Sequence, residues 1–155
     1  MRLAVDTVIA LILLAILAGI GWHRHEQAVQ LRRVEAVQAS LRAIQAQAMY
    51  HAGLSDTDTT RGGYPTMIHR EWFGNPPCNA LVDDETTWMD QAAADERDRW
   101  DPLAISIEPD RAIFWYNPYR GIVRARVPHQ ISDRATCDLY NLVNGTSLEP
   151  DEVTW

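Results

Sequence analysis

Lysine is absent from this sequence of 155 residues, whose 14 basic residues are all arginine. Set against 21 acidic residues, they leave a formal net charge of −7. Binding along a nucleic-acid backbone needs a basic surface, so this balance predicts no nucleic-acid partner. We treat the missing lysine itself as a feature of composition and attach no function to it.

The common catalytic and metal-binding signatures are also missing. The sequence has no G-x-S-x-G or H-E-x-x-H motif, no Gly-rich phosphate loop and no clustered set of Cys and His. Its 5 histidines are scattered, and His23 and His25 would point in different directions from one helix. We therefore expect a protein that is not an enzyme and needs no cofactor.

Cysteine is scarce, since Cys78 and Cys137 are the only two. They lie too far apart for a local C-x-x-C redox or zinc motif. If the N-terminal segment places the rest of the chain outside the cytoplasm, a disulfide between them is expected. The alternative is two unrelated buried thiols.

One long apolar run covers residues 3–22, with Asp6 and Thr7 as its exceptions. Its length is close to the ~20 residues that a helix needs to cross ~30 Å of hydrocarbon. The main alternative is a cleaved signal peptide with a weak small-x-small site at residues 19–21. An acidic residue where a signal peptide is basic, and a helical pattern that continues after Gly21, favour a transmembrane helix over residues 1–22.

Asp6 stands out in this run, because a carboxylate in hydrocarbon costs several kcal/mol unless it is paired. Arg2 lies four residues earlier on the same helical face and would neutralise it as an i,i+4 pair. A cation on a neighbouring copy of the chain is the other partner, and the two pairings are compatible. Asp6 and Arg2 are therefore candidate assembly residues.

Residues 23–53 predict an amphipathic continuation of the same helix. The stretch from His23 to Ala52 has no Pro or Gly, and Gly53 follows it as a C-cap. Its apolar residues recur at spacings of three and four, which is one narrow helical stripe. We expect this stripe to pack on the rest of the domain: Val34, Val37, Leu41, Ile44 and Ala48.

Residues 54–102 predict a variable loop region with an acidic segment, and a short helix at about 86–97. Calcium binds through carboxylate and carbonyl oxygens, so part of this segment is a candidate calcium site, although a solvated acidic face is the alternative. The candidate calcium ligands are Asp83, Asp84, Glu85 and Asp90. In a domain of this size the tryptophans are expected as core anchors: Trp72, Trp88, Trp100 and Trp115.

From residue 103 onward, apolar residues alternate with polar ones. The runs 103–107, 112–116, 123–127 and 136–143 predict four strands joined by short turns, which is an antiparallel meander within residues 103–155. The helical stripe is the expected cover for its apolar face. The predicted fold class is α+β, with a long N-terminal helix, half transmembrane and half amphipathic, packed on a small four-stranded antiparallel sheet.

This order of elements resembles the type IV pilin and type II secretion pseudopilin superfamily. The shared features are an apolar N-terminal helix with an acidic residue near its start, an amphipathic continuation, a variable loop, a small antiparallel sheet and often a disulfide. The run Phe114-Trp-Tyr-Asn-Pro-Tyr-Arg-Gly-Ile-Val-Arg-Ala-Arg-Val127 is similar to a passage near the end of many pseudopilin-like sequences. The family's leader ending in Gly has no counterpart ahead of Asp6, which leaves an upstream start, an unprocessed divergent member or a likeness of architecture alone.

The resemblance implies assembly without catalysis. The apolar helices would bundle in a fibre core, with Asp6 neutralising the N-terminal amine of an adjacent subunit. The implied partners are further copies of this chain, other pilin-like subunits and the bacterial inner membrane, with the globular part in the periplasm or on an extracellular fibre. The alternative is a single-pass, membrane-tethered binding or accessory module that does not polymerise.

Overall fold

The computed structural model describes residues 2–54, 56–82, 87–108 and 111–153, with side chains from residue 12 onward. By its internal contacts the chain forms two units, Met1–Arg33 and Val34–Trp155. Helix α1, Arg2–Ala52, contributes to both units. It ends where the amides of Gly53 and Leu54 donate to the backbone oxygens of Tyr50 and His51, at 3.2 and 3.1 Å.

The predicted stripe on α1 is confirmed as a core surface of the second unit. Val34, Val37, Ile44 and Ala48 are buried in the hydrophobic core, and Leu41 is partly buried against it. Polar neighbours of the stripe fix the same face, since the side chains of Gln38, Ser40 and Gln45 donate to the backbone oxygens of Leu142, Cys78 and Gly121. The predicted α+β class is also confirmed, since the chain contains both helices and a β-sheet.

The sheet differs from the four-stranded antiparallel prediction. Within the described residues it has three strands, β1 (Met89–Gln91), β2 (Phe114–Asn117) and β3 (Ile122–Ala125), in the order β1-β2-β3. β1 pairs with β2 in parallel, and β2 pairs with β3 antiparallel. Every residue of the central strand is buried, so both faces of this strand are covered by the rest of the domain.

The run 103–107 does not form the predicted antiparallel strand. It makes a parallel bridge between Ser106 and Val127, in which the amide of Ile107 donates to Val127 O and the amide of Val127 donates to Ile105 O. The alternation of residue types was interpreted correctly as extended chain. The pairing was wrong, because this segment lies beside the end of β3 and not beside β2.

The fourth predicted strand is a helix, α2, Asp133–Asn144. Its side chains Thr136, Cys137, Tyr140 and Val143 are buried, which is helical spacing. The termini explain the outcome, since the Ser132 hydroxyl accepts from the amide of Ala135 at its start and Gly145 ends it with φ of 65°. These are strong helix start and stop signals, and they outweigh the weak alternation between them.

The side chain of Asn144, the last residue of α2, closes part of the free edge of β3. Its Nδ2 donates to the backbone oxygen of Ala125 at 2.9 Å, and its Oδ1 accepts from the amide of Ala125 at 2.8 Å. This amide group therefore takes the place that the backbone of a neighbouring strand would occupy.

The short helix predicted at about 86–97 is wrong for the described part of that range, which holds β1 followed by turns at residues 94–98. The carboxylates there bind backbone and side-chain donors of the domain. Glu96 accepts from the amides of Ala93 and Leu103 at 3.2 Å each and from the indole of Trp115 at 3.4 Å. Such contacts stabilise a compact turn over a helix.

The predicted tryptophan anchors divide into three kinds. Trp115 is 1% exposed, and Trp72 and Trp88 are partly buried against the core. Trp100 is 61% exposed, so the prediction is wrong for it.

Candidate functional site: the apolar segment of helix α1

The apolar segment, residues 12–22 of α1, presents large apolar side chains around the helix within the first unit. Each is at least 49% exposed: Ile12, Leu13, Leu14, Ile16, Leu17, Ile20 and Trp22. Positions 12, 13, 14, 16, 17 and 20 are too close together for one face of a helix, so the segment is apolar on every side. A helix of this kind is stable only when lipid or other protein covers it.

The apolar segment ends at a polar boundary. The indole of Trp22 donates to Glu26 at 2.7 Å, and the side chains of His23 and Gln27 are 3.0 Å apart. A tryptophan at the limit of an apolar segment, hydrogen-bonded on its polar side, is typical of a membrane interface. The two histidines, His23 and His25, follow this boundary and belong to the exposed part of the helix.

Within the residues whose side chains are described, no helix has a stretch that is both long and apolar enough to cross a membrane. The side chains of the candidate assembly residues, Asp6 and Arg2, are not among those that the structure describes.

The structure does not contain the predicted Cys78–Cys137 disulfide: both residues are free cysteines. Cys78 is exposed, whereas Cys137 is buried on α2 and lies 3.2 Å from the backbone oxygen of Leu148. Burial, followed by the negative charges of Asp138 and Glu149, raises the pKa of the Cys137 thiol. The two thiols therefore have very different accessibility.

The candidate calcium ligands are not brought together in the described structure. Asp83, Asp84 and Glu85 lie outside the described residues. Asp90 is engaged elsewhere, since it pairs with Arg126 at 2.6 Å and accepts from the amide of Ala112 at 3.2 Å. Among the described residues no group of three or more His, Cys, Asp or Glu side chains is placed to hold a metal ion.

Two charged networks beneath the sheet surface were not predicted. Arg126 is 5% exposed, and its guanidinium donates to Asp90 and to the backbone oxygens of Ala104 and Ala112. Arg124 pairs with Asp101 at 2.7 Å. Both arginines alternate along the chain with the buried residues Val123, Ala125 and Val127, but no local signal indicates their distant partners.

Tyr140 completes the second network. Its hydroxyl donates to Asp101 at 2.9 Å, the same carboxylate oxygen that Arg124 binds. Burial, with the negative charge of Asp101, raises the pKa of this phenol well above its ordinary value. The network links α2 to β3 through Asp101, so it stabilises the domain that carries α1.

The chain was compared with protein-family models, with curated proteins and with solved structures, and none of them matches it.

Proposed function

We propose that this protein is a non-catalytic, pilin-like subunit that inserts in the bacterial inner membrane and assembles through its N-terminal helix into a fibre of the type II secretion or type IV pilus kind. The observation that carries this proposal is the apolar segment, which presents apolar side chains in every direction. Lipid before assembly and neighbouring helices after assembly would both cover such a surface.

The difference in burial between the two parts of α1 supports the same proposal. Residues of its second half, such as Val37 and Ile44, are fully buried in the domain core, whereas residues 12–22 are exposed within their own unit. One helix thus supplies both a domain core and a separate apolar surface. A helix that served only to complete the domain would have no need of the apolar segment.

Asp6 has the role of an assembly switch in this proposal. A carboxylate within the hydrocarbon opposes insertion and packing unless a cation neutralises it. An amine on a neighbouring subunit would neutralise this carboxylate only when the two helices are aligned so that the groups meet. The pairing would therefore fix the position of each subunit relative to its neighbour. Arg2 offers a neutralising partner within the same chain before assembly.

Disulfide cross-linking in membranes tests the proposal with the full-length chain. Leu14→Cys is introduced together with Cys78→Ser, which removes the exposed native thiol, while Cys137 stays buried. Each chain then has one accessible thiol and can form one intermolecular disulfide, so assembly predicts conversion of most of the chain to a covalent dimer on oxidation. A matched variant with Gln30→Cys, an exposed polar position of the same helix, reports random collisions in the membrane.

Asp6→Ala in the Leu14→Cys chain separates the two candidate functions. Under assembly the cross-linked dimer falls to the level of the Gln30→Cys control, while the amount of protein in the membrane fraction is unchanged. A chain that inserts but stays monomeric at Leu14 both with and without Asp6 contradicts the proposal. That result would instead favour a single-pass tethered module in which Arg2 alone satisfies Asp6.

A further inference from the structure

The second unit contains a cleft of about 680 Å³ in which arginines predominate. We call it the arginine cleft. Three guanidinium groups and one carboxylate line it, although the chain as a whole has a net charge of −7. Arg61, Arg97 and Arg120 supply the positive charges, and Asp98 supplies the negative one. The cleft therefore has the opposite sign to the protein that contains it.

Three loop segments form this cleft, and side-chain contacts hold them together. The amide of Asn117, which is fully buried, donates to the backbone oxygens of residues 96, 97 and 99. The Thr60 hydroxyl donates to Pro118 O at 2.9 Å. The ring of Tyr64 packs on Gly121, where φ is 65° and a Cβ would collide with that ring. The cleft is thus preformed, which lowers the entropy cost of binding a ligand.

Two of the arginines are oriented by aromatic rings. The guanidinium of Arg97 lies over Tyr119 at 4.9 Å from the ring centre, and that of Arg120 lies over Trp100 at 4.7 Å. Stacking fixes the plane of a guanidinium and leaves its N–H edge free to donate. A fixed edge of this kind suits the paired oxygens of a phosphate or carboxylate group.

These donors are not satisfied by the protein. Among the described residues, Arg120 Nε is a buried side-chain nitrogen that has no hydrogen-bond partner. Its neighbour Asp98 is 3.9 Å from Nη2 and 87% exposed, so the pair is weak. Within the described ranges Arg61 and Arg97 form no ion pair. Unpaired positive charges that share a cleft repel each other unless an anion joins them.

We propose that the arginine cleft binds a small organic molecule that carries a dianionic oxyanion, either a phosphate monoester or a dicarboxylate. Two negative charges balance the excess of three guanidinium groups over one carboxylate. The cleft exceeds a single anion in size and lies within the ~300–1,000 Å³ range of small-molecule sites, and the half-exposed ring of Tyr119 offers an apolar surface to the remainder of the ligand. This inference does not depend on the proposed fibre function.

Calorimetric titration of the full-length chain in detergent tests the inference. The probes are disodium glycerol phosphate, a phosphate monoester, and disodium malonate, a dicarboxylate; both are dianions slightly above neutral pH, and sodium chloride holds the ionic strength constant. Saturable binding of one ion per chain is expected for at least one probe, and the tighter one identifies the source of the oxyanion. Arg97→Gln with Arg120→Gln should weaken that affinity at least tenfold.

Two further variants keep the test decisive if the double variant folds poorly. Arg61→Gln changes an exposed loop residue and should weaken binding about threefold or more with an unchanged unfolding midpoint. Arg70→Gln with Arg134→Gln removes two exposed charges of the same unit that do not line the cleft, and its affinity should stay within twofold. The inference is overturned if neither probe saturates, or if this control loses as much affinity as the cleft variant.

Discussion

Replacing Ile44 by alanine tests whether α1 is part of the core of the second unit. Ile44 is fully buried in the core cluster. Truncation of a buried isoleucine to alanine typically costs about 2–5 kcal/mol, from lost transfer free energy and from the cavity that remains. The lack of any exposed surface on Ile44 places it in the middle of that range, so we expect a loss of about 3 kcal/mol in the free energy of unfolding. For a unit of this size that loss corresponds to a fall of about 10 °C in the unfolding midpoint.

The assay is thermal unfolding followed by near-ultraviolet circular dichroism, which reports the packing of tryptophans in the core. Met49→Ala is the matched control, since Met49 lies on the same helix and is 54% exposed. Its midpoint should change by no more than about 2 °C. Equal midpoints for the two variants would refute the packing of α1 in the core. A fragment that begins at Leu54 and still folds would refute it independently.

Three further perturbations test the thiols, the buried ion pair and the buried phenol. Without reductant, an alkylating reagent should label one thiol in the native chain, Cys78, and a second, Cys137, only in denaturant; no label under either condition would show that the two are joined. Asp90→Asn should lower the free energy of unfolding in urea by about 2–3 kcal/mol, because it leaves the guanidinium of Arg126 buried without a counter-charge, and a change below about 0.5 kcal/mol would contradict that burial. The folded-state pKa of Tyr140 is raised, so its contribution to stability is complete below pH ~10, the unfolded value, and is lost as the pH rises further. The urea midpoint should therefore fall between pH 9 and about 11, and fall less in Tyr140→Phe; identical pH profiles would count against this role.

The stripe on α1 was predictable because spacings of three and four along a helix leave one solution for which residues face the core. Val37 and Ile44 were assigned to the core on this basis alone, and both are fully buried. The α+β class was predictable because the hydrophobic spacing changes along the chain, from three and four residues in α1 to alternation after residue 103. Local pattern was sufficient wherever the pattern was long and regular.

Short elements were less predictable. In α2, polar and apolar residues alternate over a few positions as well as they repeat at helical spacing, and only the caps at Ser132 and Gly145 distinguish the two. The parallel pairing of β1 with β2 joins Met89 to Phe114 across a long connection. Sequence spacing carries little information on such a pairing, because tertiary packing selects it.

The arginine cleft could not be predicted from the sequence, for a related reason. Arg61, Arg97 and Arg120 stand on three loops with no common motif. Their convergence depends on the buried amide of Asn117 and on the contact of Tyr64 with Gly121. Only the folded loops bring these charges to one place.

The amide of Asn144 on the backbone of Ala125 has a consequence for how copies of this chain are able to meet. An open strand edge is a template onto which another polypeptide adds by backbone hydrogen bonds, and this is a common route to uncontrolled aggregation. At the β3 edge that template is already occupied at Ala125 by Asn144, and at Val127 by the segment around Ser106. A second molecule that approaches this edge at Ala125 or Val127 therefore finds no free backbone groups there, and at these two positions it is able to make contact only through side chains.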